Sequence, residues 1–432
     1  MYRFVAGLFG LAADLFYRRR MLGGRLPARG PAIIVANHLN GLIDPVVIMR
    51  LSGRPVRFLA KAPIFGMPLI GRLAKWVRAL PVYRAQDGHD TSSNQDMFRA
   101  VYAALADGDC ICLFPEGISH NEPGLQPLKT GAARMALGAE AAVERPLGVQ
   151  LVPVGLNYRD KAVFRSEVAV RIGDPITIDD DWRARYADDP RAAARALTDA
   201  IDGAIRQVTV NLDAWDDLPV LELAGRIWTD DRDPTERLRT MADAQRSFLE
   251  TAPQRIGDLR NRLLGFGEDL DALGLTPEAL DEQVTAGRRA AYVLRNLIAV
   301  TVGLPFALLG AIAYFAPYQL IKLIVRLARP EEDIVATVKV LGAVLFFIPW
   351  HIALVVGAVV WIGPWTGVLA SVGLPLCALY THHFIERRLA AVRRGRMALT
   401  LLSGTGRALA DALRAERDAI RAEIDALAAE YG

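Results

Sequence analysis

Cysteine is scarce in this chain. Three in 432 residues, Cys110, Cys112 and Cys377, cannot build a disulfide framework. They include no C-x-x-C pair, so a structural zinc site is not expected, and a reducing compartment suits the chain. A surplus of one charge is missing too. The 51 basic and 48 acidic residues leave a net charge of +3, which excludes the broad basic footprint of a nucleic-acid binder. No secretory leader is expected at the start, because Arg18, Arg19 and Arg20 follow the first apolar run instead of preceding it. What the chain has in excess is apolar residues: 52%, with glycine not counted, and a mean hydropathy of +0.21. That is above the usual share in soluble globular chains and points to a membrane.

The length suits about three domains. In residues 1–30, Leu8, Leu11, Leu15 and Phe16 recur at helical spacing, which predicts a short amphipathic helix at the membrane surface. Residues 31–178 alternate short apolar runs (32–36, 56–60, 110–114, 151–155 and 168–172) with the helical stretches 96–106 and 131–142. Such alternation predicts an α/β fold, a mostly parallel sheet flanked by helices. Residues 179–290 turn polar and read as a helical module, with helix starts at Asp233-Pro234-Thr235-Glu236 and Thr276-Pro277-Glu278.

Residues 291–382 read as a hydrophobic, membrane-embedded helical tail. No charge interrupts 296–321 or 340–381, and each run exceeds the ~20 residues of one crossing. Gly363-Pro364 breaks the second run into two passes or a hairpin. Basic residues flank the first run on both sides, so a re-entrant segment stands beside a single span. Residues 383–432 read as a C-terminal amphipathic helix. Its stripe of Leu409, Leu413, Ile420, Ile424 and Leu427 is a docking face, either for a second copy in a homo-oligomer or for the chain's own surface.

The segment Asn37-His38-Leu39-Asn40-Gly41-Leu42-Ile43-Asp44-Pro45 follows the first expected strand, where α/β folds place reactive groups. Asn40-Gly41 is a turn dipeptide, and Asp44-Pro45 reads as the N-cap and first residue of a helix. If the turn folds His38 onto Asp44, His38 is a general base whose tautomer Asp44 fixes. If it does not, Asp44 merely caps a helix. Pro115-Glu116-Gly117 ends another strand, in a turn that should expose Glu116. Lys129 stands just before a helix start, where a cation beside free N–H groups suits an anion. Arg84 follows the strand-like Pro81-Val82-Tyr83, and arginine takes phosphate in a bidentate manner.

In this order the blocks resemble those of the glycerolipid acyltransferase superfamily, over roughly residues 30–178. The family's first block is Asn-His, four residues, then Asp. Here five residues separate His38 from Asp44, a departure that resembles the branch of yeast-type glycerol-3-phosphate and dihydroxyacetone-phosphate acyltransferases. Arg84 matches the end of the second block. Phe114-Pro115-Glu116-Gly117 match the third, but Ile118-Ser119-His120 replace its Thr-Arg-Ser, so the acceptor contact of that lost arginine would fall to Lys129. The fourth resembles Val152-Pro153-Val154-Gly155.

The resemblance implies transfer of a fatty acyl group from acyl-CoA or acyl carrier protein to glycerol 3-phosphate in phospholipid biosynthesis, or to its 1-acyl product. It implies His38 and Asp44 as catalytic residues. Asn37, Lys61, Arg84, Glu116, Gly117 and Lys129 would bind substrate, with the apolar stretch 64–70 beside the bilayer. No metal or cofactor is implied beyond the thioester donor. The partners are the bilayer, the donor and a phosphorylated glycerol acceptor, with the catalytic domain on the cytoplasmic face. Two rival readings remain at this point. One is a metal hydrolase built on His38, Asp44, Glu116 and His120; the other is a catalytically dead membrane scaffold.

The two uncharged runs bury more apolar area than any electrostatic anchor. High-salt and carbonate washes are therefore expected to leave the chain in the membrane pellet. Recovery in the salt wash would contradict the reading of 291–382.

Overall fold

The structure is a computed structural model that describes residues 1–83, 94–281, 286–400 and 404–431. In chain order its first part runs α1 (Tyr2–Phe16), β1 (Tyr17–Gly23), β2 (Ala32–Ala36), α2 (Ile43–Leu51), β3 (Val56–Lys61), α3 (Ile70–Trp76), β4 (Leu80–Val82), α4 (Asn94–Ala106), β5 (Cys110–Leu113), α5 (Gly131–Ala141), β6 (Gln150–Tyr158), β7 (Ser166–Ile172), β8 (Ile176–Thr177), α6 (Asp180–Asp188) and α7 (Pro190–Arg206). Then follow α8 (Asp217–Ile227), α9 (Pro234–Thr251), α10 (Pro253–Leu273), α11 (Ala286–Ala313), α12 (Phe315–Ala328), α13 (Glu332–Gly342), α14 (Ile348–Trp361), α15 (Pro364–Thr400) and α16 (Gly404–Tyr431). These elements form two units: Met1–Asn211 with Leu327–Val344, and Leu212–Arg326 with Leu345–Gly432.

The first unit is built on a mixed eight-stranded sheet of order β1-β7-β6-β2-β5-β3-β4, with β8 paired to β6. Strands β2, β3, β4 and β5 run parallel to their neighbours, as does β6 to β2 and β1 to β7; the β6–β7 and β6–β8 pairs are antiparallel. Every residue of β2 is buried, as a strand covered on both faces must be. Its period-two alternation sorts the core. Ile33 and Val35 join the cluster that holds α4, α5 and α7. Ala32, Ile34 and Ala36 face the cluster with Ile43 and Val47 of α2 and Ala336 and Val340 of α13. The unit is thus three layers, helices on both sides of the sheet.

Three expectations change here. The N-terminal helix ends at Phe16, and Tyr17–Gly23 is a strand beside β7. Its N–H and C=O groups find partners there, and α1 packs Val5, Phe9 and Ala13 against Val46 of α2 while Phe4, Leu11 and Leu15 stay exposed. Helices α6 and α7 belong with the sheet, because Ala193, Leu197, Ile201 and Ile205 fill its core. Finally, α13 lies in the stretch read as membrane-embedded, yet its Asp333, Ala336, Thr337 and Val340 are buried in the first unit.

In the second unit, α9 begins where expected, with Asp233 accepting the Thr235 N–H and Pro234 in the first turn. Leu413, Ile420, Ile424 and Leu427 of α16 are buried with Leu259, Leu263 and Phe266 of α10 and Val220 and Ala224 of α8. The stripe is therefore spent on the chain's own module, the second of the two partners expected for it; Leu409 alone of the five is exposed. By length and composition, three helical segments could cross a membrane: Leu294–Ala313 and Pro364–Leu389 in this unit, and Glu332–Trp361, whose first part, α13, belongs to the first unit. The first is one continuous helix through Pro305. The break at Gly363-Pro364 separates α14 from α15, as the sequence indicated. Helices α11 and α15 are joined by the Thr381 hydroxyl, which donates to the Ala307 carbonyl at 2.8 Å, and by Arg388, which donates to Asn296 Oδ1 at 3.0 Å.

Gly155 in β6 tests the packing of the first unit. A Cβ there would sit 1.9 Å from the Val208 carbonyl oxygen, a backbone atom that cannot rotate away. Gly155→Ala is expected to destabilise by about 1–3 kcal/mol or more. Gly203→Ala, in open space on α7, should stabilise by about 0.5–1 kcal/mol. Thermal unfolding of the detergent-solubilised chain reads both signs.

Candidate active site

Parallel strands end on a common edge. In this sheet β2, β5, β3 and β4 are consecutive neighbours that all point the same way. The loop after β2 carries His38, the loop after β5 carries Glu116, and Lys61 closes β3. Residues far apart in sequence are thereby brought to the carboxyl edge, where α/β sheets leave room for ligands.

His38 and Asp44 meet there. Helix α2 does not start until Ile43, so residues 38–42 are free to turn. The turn closes with the Ile43 N–H on the Asn40 carbonyl at 2.8 Å, and it brings His38 Nδ1 to 2.9 Å from Asp44 Oδ2. The expected cap is corrected: Leu42 holds the N-cap position, and no side chain caps the helix. Asp44 lies within the first turn and is fully buried. A buried carboxylate needs donors, and Asp44 has three. Oδ2 also accepts the Asn40 N–H at 2.8 Å, and Oδ1 accepts the Tyr158 hydroxyl at 2.7 Å. Burial first, then the charge of Asp44, push the Tyr158 phenol well above its ordinary pKa, so it stays protonated and donates.

With Nδ1–H committed to the carboxylate, His38 keeps Nε2 as an acceptor. The ring stacks on Phe114 with centroids 3.9 Å apart and planes 12° from parallel, and 17% of the side chain remains exposed. One nitrogen anchored, the other open and the ring held flat is the arrangement a general base requires.

Two expected substrate contacts are corrected. Glu116 is buried, not exposed. The Gly117 N–H closes a turn on the Phe114 carbonyl at 3.0 Å, with Gly117 at φ 75°, and the turn sends the carboxylate inward. There Oε1 accepts the His38 N–H at 2.8 Å, and Oε2 accepts His120 Nε2 at 2.6 Å and the Gln126 N–H at 2.8 Å. His120 Nδ1 accepts the Glu122 N–H at 3.0 Å, which places its proton on Nε2. Glu116 therefore staples the two loops. Asn37 is also committed: its amide donates to the Leu156 carbonyl at 3.0 Å and accepts the Leu156 N–H at 2.8 Å, adding a side-chain rung to the β2–β6 ladder.

Lys61 and Lys129 are exposed. Lys129 lies across Gly117, where a Cβ would fall 2.6 Å from its Nζ. Arg84 lies outside the described residues. The four residues of the rival metal site form two separate pairs, and among the described residues no group of three His, Cys, Asp or Glu is placed to hold a metal.

Several residues had no signal in the sequence. Tyr158 reaches Asp44 from β6. The Asn40 amide donates to the Tyr17 hydroxyl at 2.8 Å, which in turn donates to the Lys161 carbonyl. Lys161 Nζ donates to the carbonyls of Leu39 and His120 at 3.1 and 3.3 Å, bridging both loops.

Residues 20–157 match the protein-family model described as Acyltransferase. The chain is 38% identical over 135 residues to glycerol-3-phosphate O-acyltransferase 2 of Saccharomyces cerevisiae, across 31% of this chain and 18% of that one. It is 25% identical to glycerol-3-phosphate O-acyltransferase 1 of the same yeast, across 76% of this chain and 57% of that one. A chloroplastic 1-acyl-sn-glycerol-3-phosphate acyltransferase of Brassica napus is 27% identical, across 36% and 42%. The chain thus spans between 18% and 57% of the length of these curated relatives.

Glu116→Gln separates a staple from a substrate contact. The amide keeps the shape but turns an NH2 toward groups that themselves donate, so a loss of about 1–3 kcal/mol is expected, read as a lower melting temperature. An unchanged melting temperature with a raised KM would restore the substrate role.

Proposed function

We propose that this chain, whose residues 20–157 match the Acyltransferase family model, is a glycerolipid acyltransferase that transfers a fatty acyl group from an acyl-CoA or acyl-carrier thioester to glycerol 3-phosphate. The observation that carries the reading is the His38–Asp44 pair, 2.9 Å apart, on a carboxylate whose other donors are fixed. A thioester is already activated, so no enzyme nucleophile is needed. His38 Nε2 takes the proton of the acceptor hydroxyl as its oxygen attacks the thioester carbonyl. Asp44 balances the imidazolium that forms. The carbon–sulfur bond then breaks, His38 returns the proton to the departing thiolate, and an ester and a free thiol leave.

The cations assigned to the acceptor phosphate are Lys61 and Lys129 on the carboxyl edge, with Arg84 on the strength of its place in the motif order. Membrane-length helices fit an acyl donor and a product that both partition into lipid. Lys339 and the Arg387-Arg388 pair flank the second uncharged run, which by the positive-inside rule supports a catalytic unit on the cytoplasmic face, where acyl thioesters occur. A second reading, with a 1-acylglycerol 3-phosphate acceptor, is favoured by the match to the Brassica protein. The same base would serve either hydroxyl.

Purified chain incubated with acyl-CoA and each acceptor in turn is expected to release thiol fastest with glycerol 3-phosphate. His38→Ala should cut kcat by about 10²- to 10⁴-fold without unfolding the chain. Asp44→Asn is expected to lose both activity and about 1–3 kcal/mol of stability, because one acceptor must then face three donors. A folded His38→Ala variant that turns over like wild type would end the proposal.

A further inference from the structure

Helix α13 stands in sequence between α12 and α14, but its buried face is turned to the loops that carry the site. Ala336 and Val340 sit in the apolar cluster that also holds Ile43 and Val47 of α2. On the same face, one turn apart, Asp333 and Thr337 are buried polar residues. Thr337 Oγ1 accepts the backbone N–H of Leu42 at 3.2 Å, across 295 residues of sequence. Asp333 accepts the Ser119 hydroxyl, in the loop after β5. One helix face therefore touches both loops, the one with His38 and the one with Glu116 and His120.

The closeness of this contact is built into Gly41. Its φ is +34°, and a Cβ there would lie 3.0 Å from the Asp333 carbonyl oxygen and 3.1 Å from Thr337 Oγ1. The Asp333 charge is faced by Lys161, whose ammonium already ties Leu39 to His120. Leu42 is the N-cap residue of α2. Its N–H holds the C-terminal end of the turn 38–42 from outside, as Glu116, Lys161 and Tyr17 hold His38, Leu39 and Asn40, and that turn sets the approach of Asp44 to His38.

We propose that Thr337, together with Asp333, is a positioning residue for the His38–Asp44 pair. Thr337 fixes the start of α2, and Asp333 fixes the neighbouring loop, so the catalytic geometry is completed by a helix far outside residues 20–157. The proposal rests on the reading of His38 as the base. It adds that the base is poised only while α13 is docked.

The test compares Thr337→Val, which keeps the shape and loses the acceptor, with Thr337→Ser, which keeps the acceptor, in the full chain in detergent. Two readouts are taken: hydrogen exchange of the segment 39–44, and steady-state kinetics. Thr337→Val is expected to speed exchange in that segment. It should also lower kcat about 5- to 50-fold, within the ~10²-fold that an ångström of misplacement costs. Both KM values should stay within about twofold, as for an interaction felt only in the transition state. Thr337→Ser should restore both readouts. Wild-type exchange in Thr337→Val, a raised KM with kcat unchanged, or a serine that rescues neither readout would each overturn it. Exchange needs no turnover. A wild-type chain that transfers no acyl group would therefore sink the functional reading, while exchange still decides whether α13 holds the loop.

Discussion

The site is organised by one electrostatic demand: the Asp44 carboxylate is wholly buried from bulk solvent. Such a charge is tolerated only where donors surround it, and the three it has come from different parts of the chain. His38 and the Asn40 N–H lie in its own loop, and the Tyr158 hydroxyl comes from β6. Two of the three are held in turn. The Asn40 amide leans on Tyr17 of β1, Tyr17 on the Lys161 carbonyl, and the His38 backbone on Glu116. Removing the charge would leave those donors without a purpose, and this ties the edge strand β1 to the site.

The sheet supplies the rigidity that the demand presupposes. Its two apolar layers meet on opposite faces of the same strands, and strand β2, which leads into the His38 loop, has no exposed residue. A base must be held to within a fraction of an ångström for proton transfer to be efficient. A loop alone cannot do that; a loop pinned at Asn37 to β6, at His38 to Glu116 and at Leu42 to α13 can.

Much of this was legible in the residues, and the rest was not for identifiable reasons. The apolar runs at 32–36, 56–60, 110–114, 151–155 and 168–172 lie on β2, β3, β5, β6 and β7; β2 and β5, buried throughout, are unbroken apolar stretches, while β3 and β7 carry one arginine each where a residue is only partly buried. The proximity of His38 to Asp44 was open, since a turn and a cap share the same letters. β1 was hidden behind Arg18, Arg19 and Arg20, whose polarity suits an edge strand but not a strand search, and its partner β7 is distant in sequence. Glu116 misled because Pro and Gly around a carboxylate signal a turn without saying which way the side chain points. Helix α13 was overlooked because it lies between two uncharged runs, and its own charges, Glu332, Asp333 and Lys339, read as the flank of a membrane segment and not as a helix facing a core.

The contact between Leu42 and Thr337 also has a meaning in time. The 295 residues between them take on the order of 15–60 s to synthesise at ~5–20 residues per second. Every strand of the sheet, and the donors of Asp44, emerge from the ribosome well before α13 does. During that interval the nascent sheet can close around Asp44, but the Leu42 N–H has only water to bind. The last piece of the α/β unit is thus delivered after α11 and α12 have been made, late enough for the apolar tail to have begun meeting the membrane.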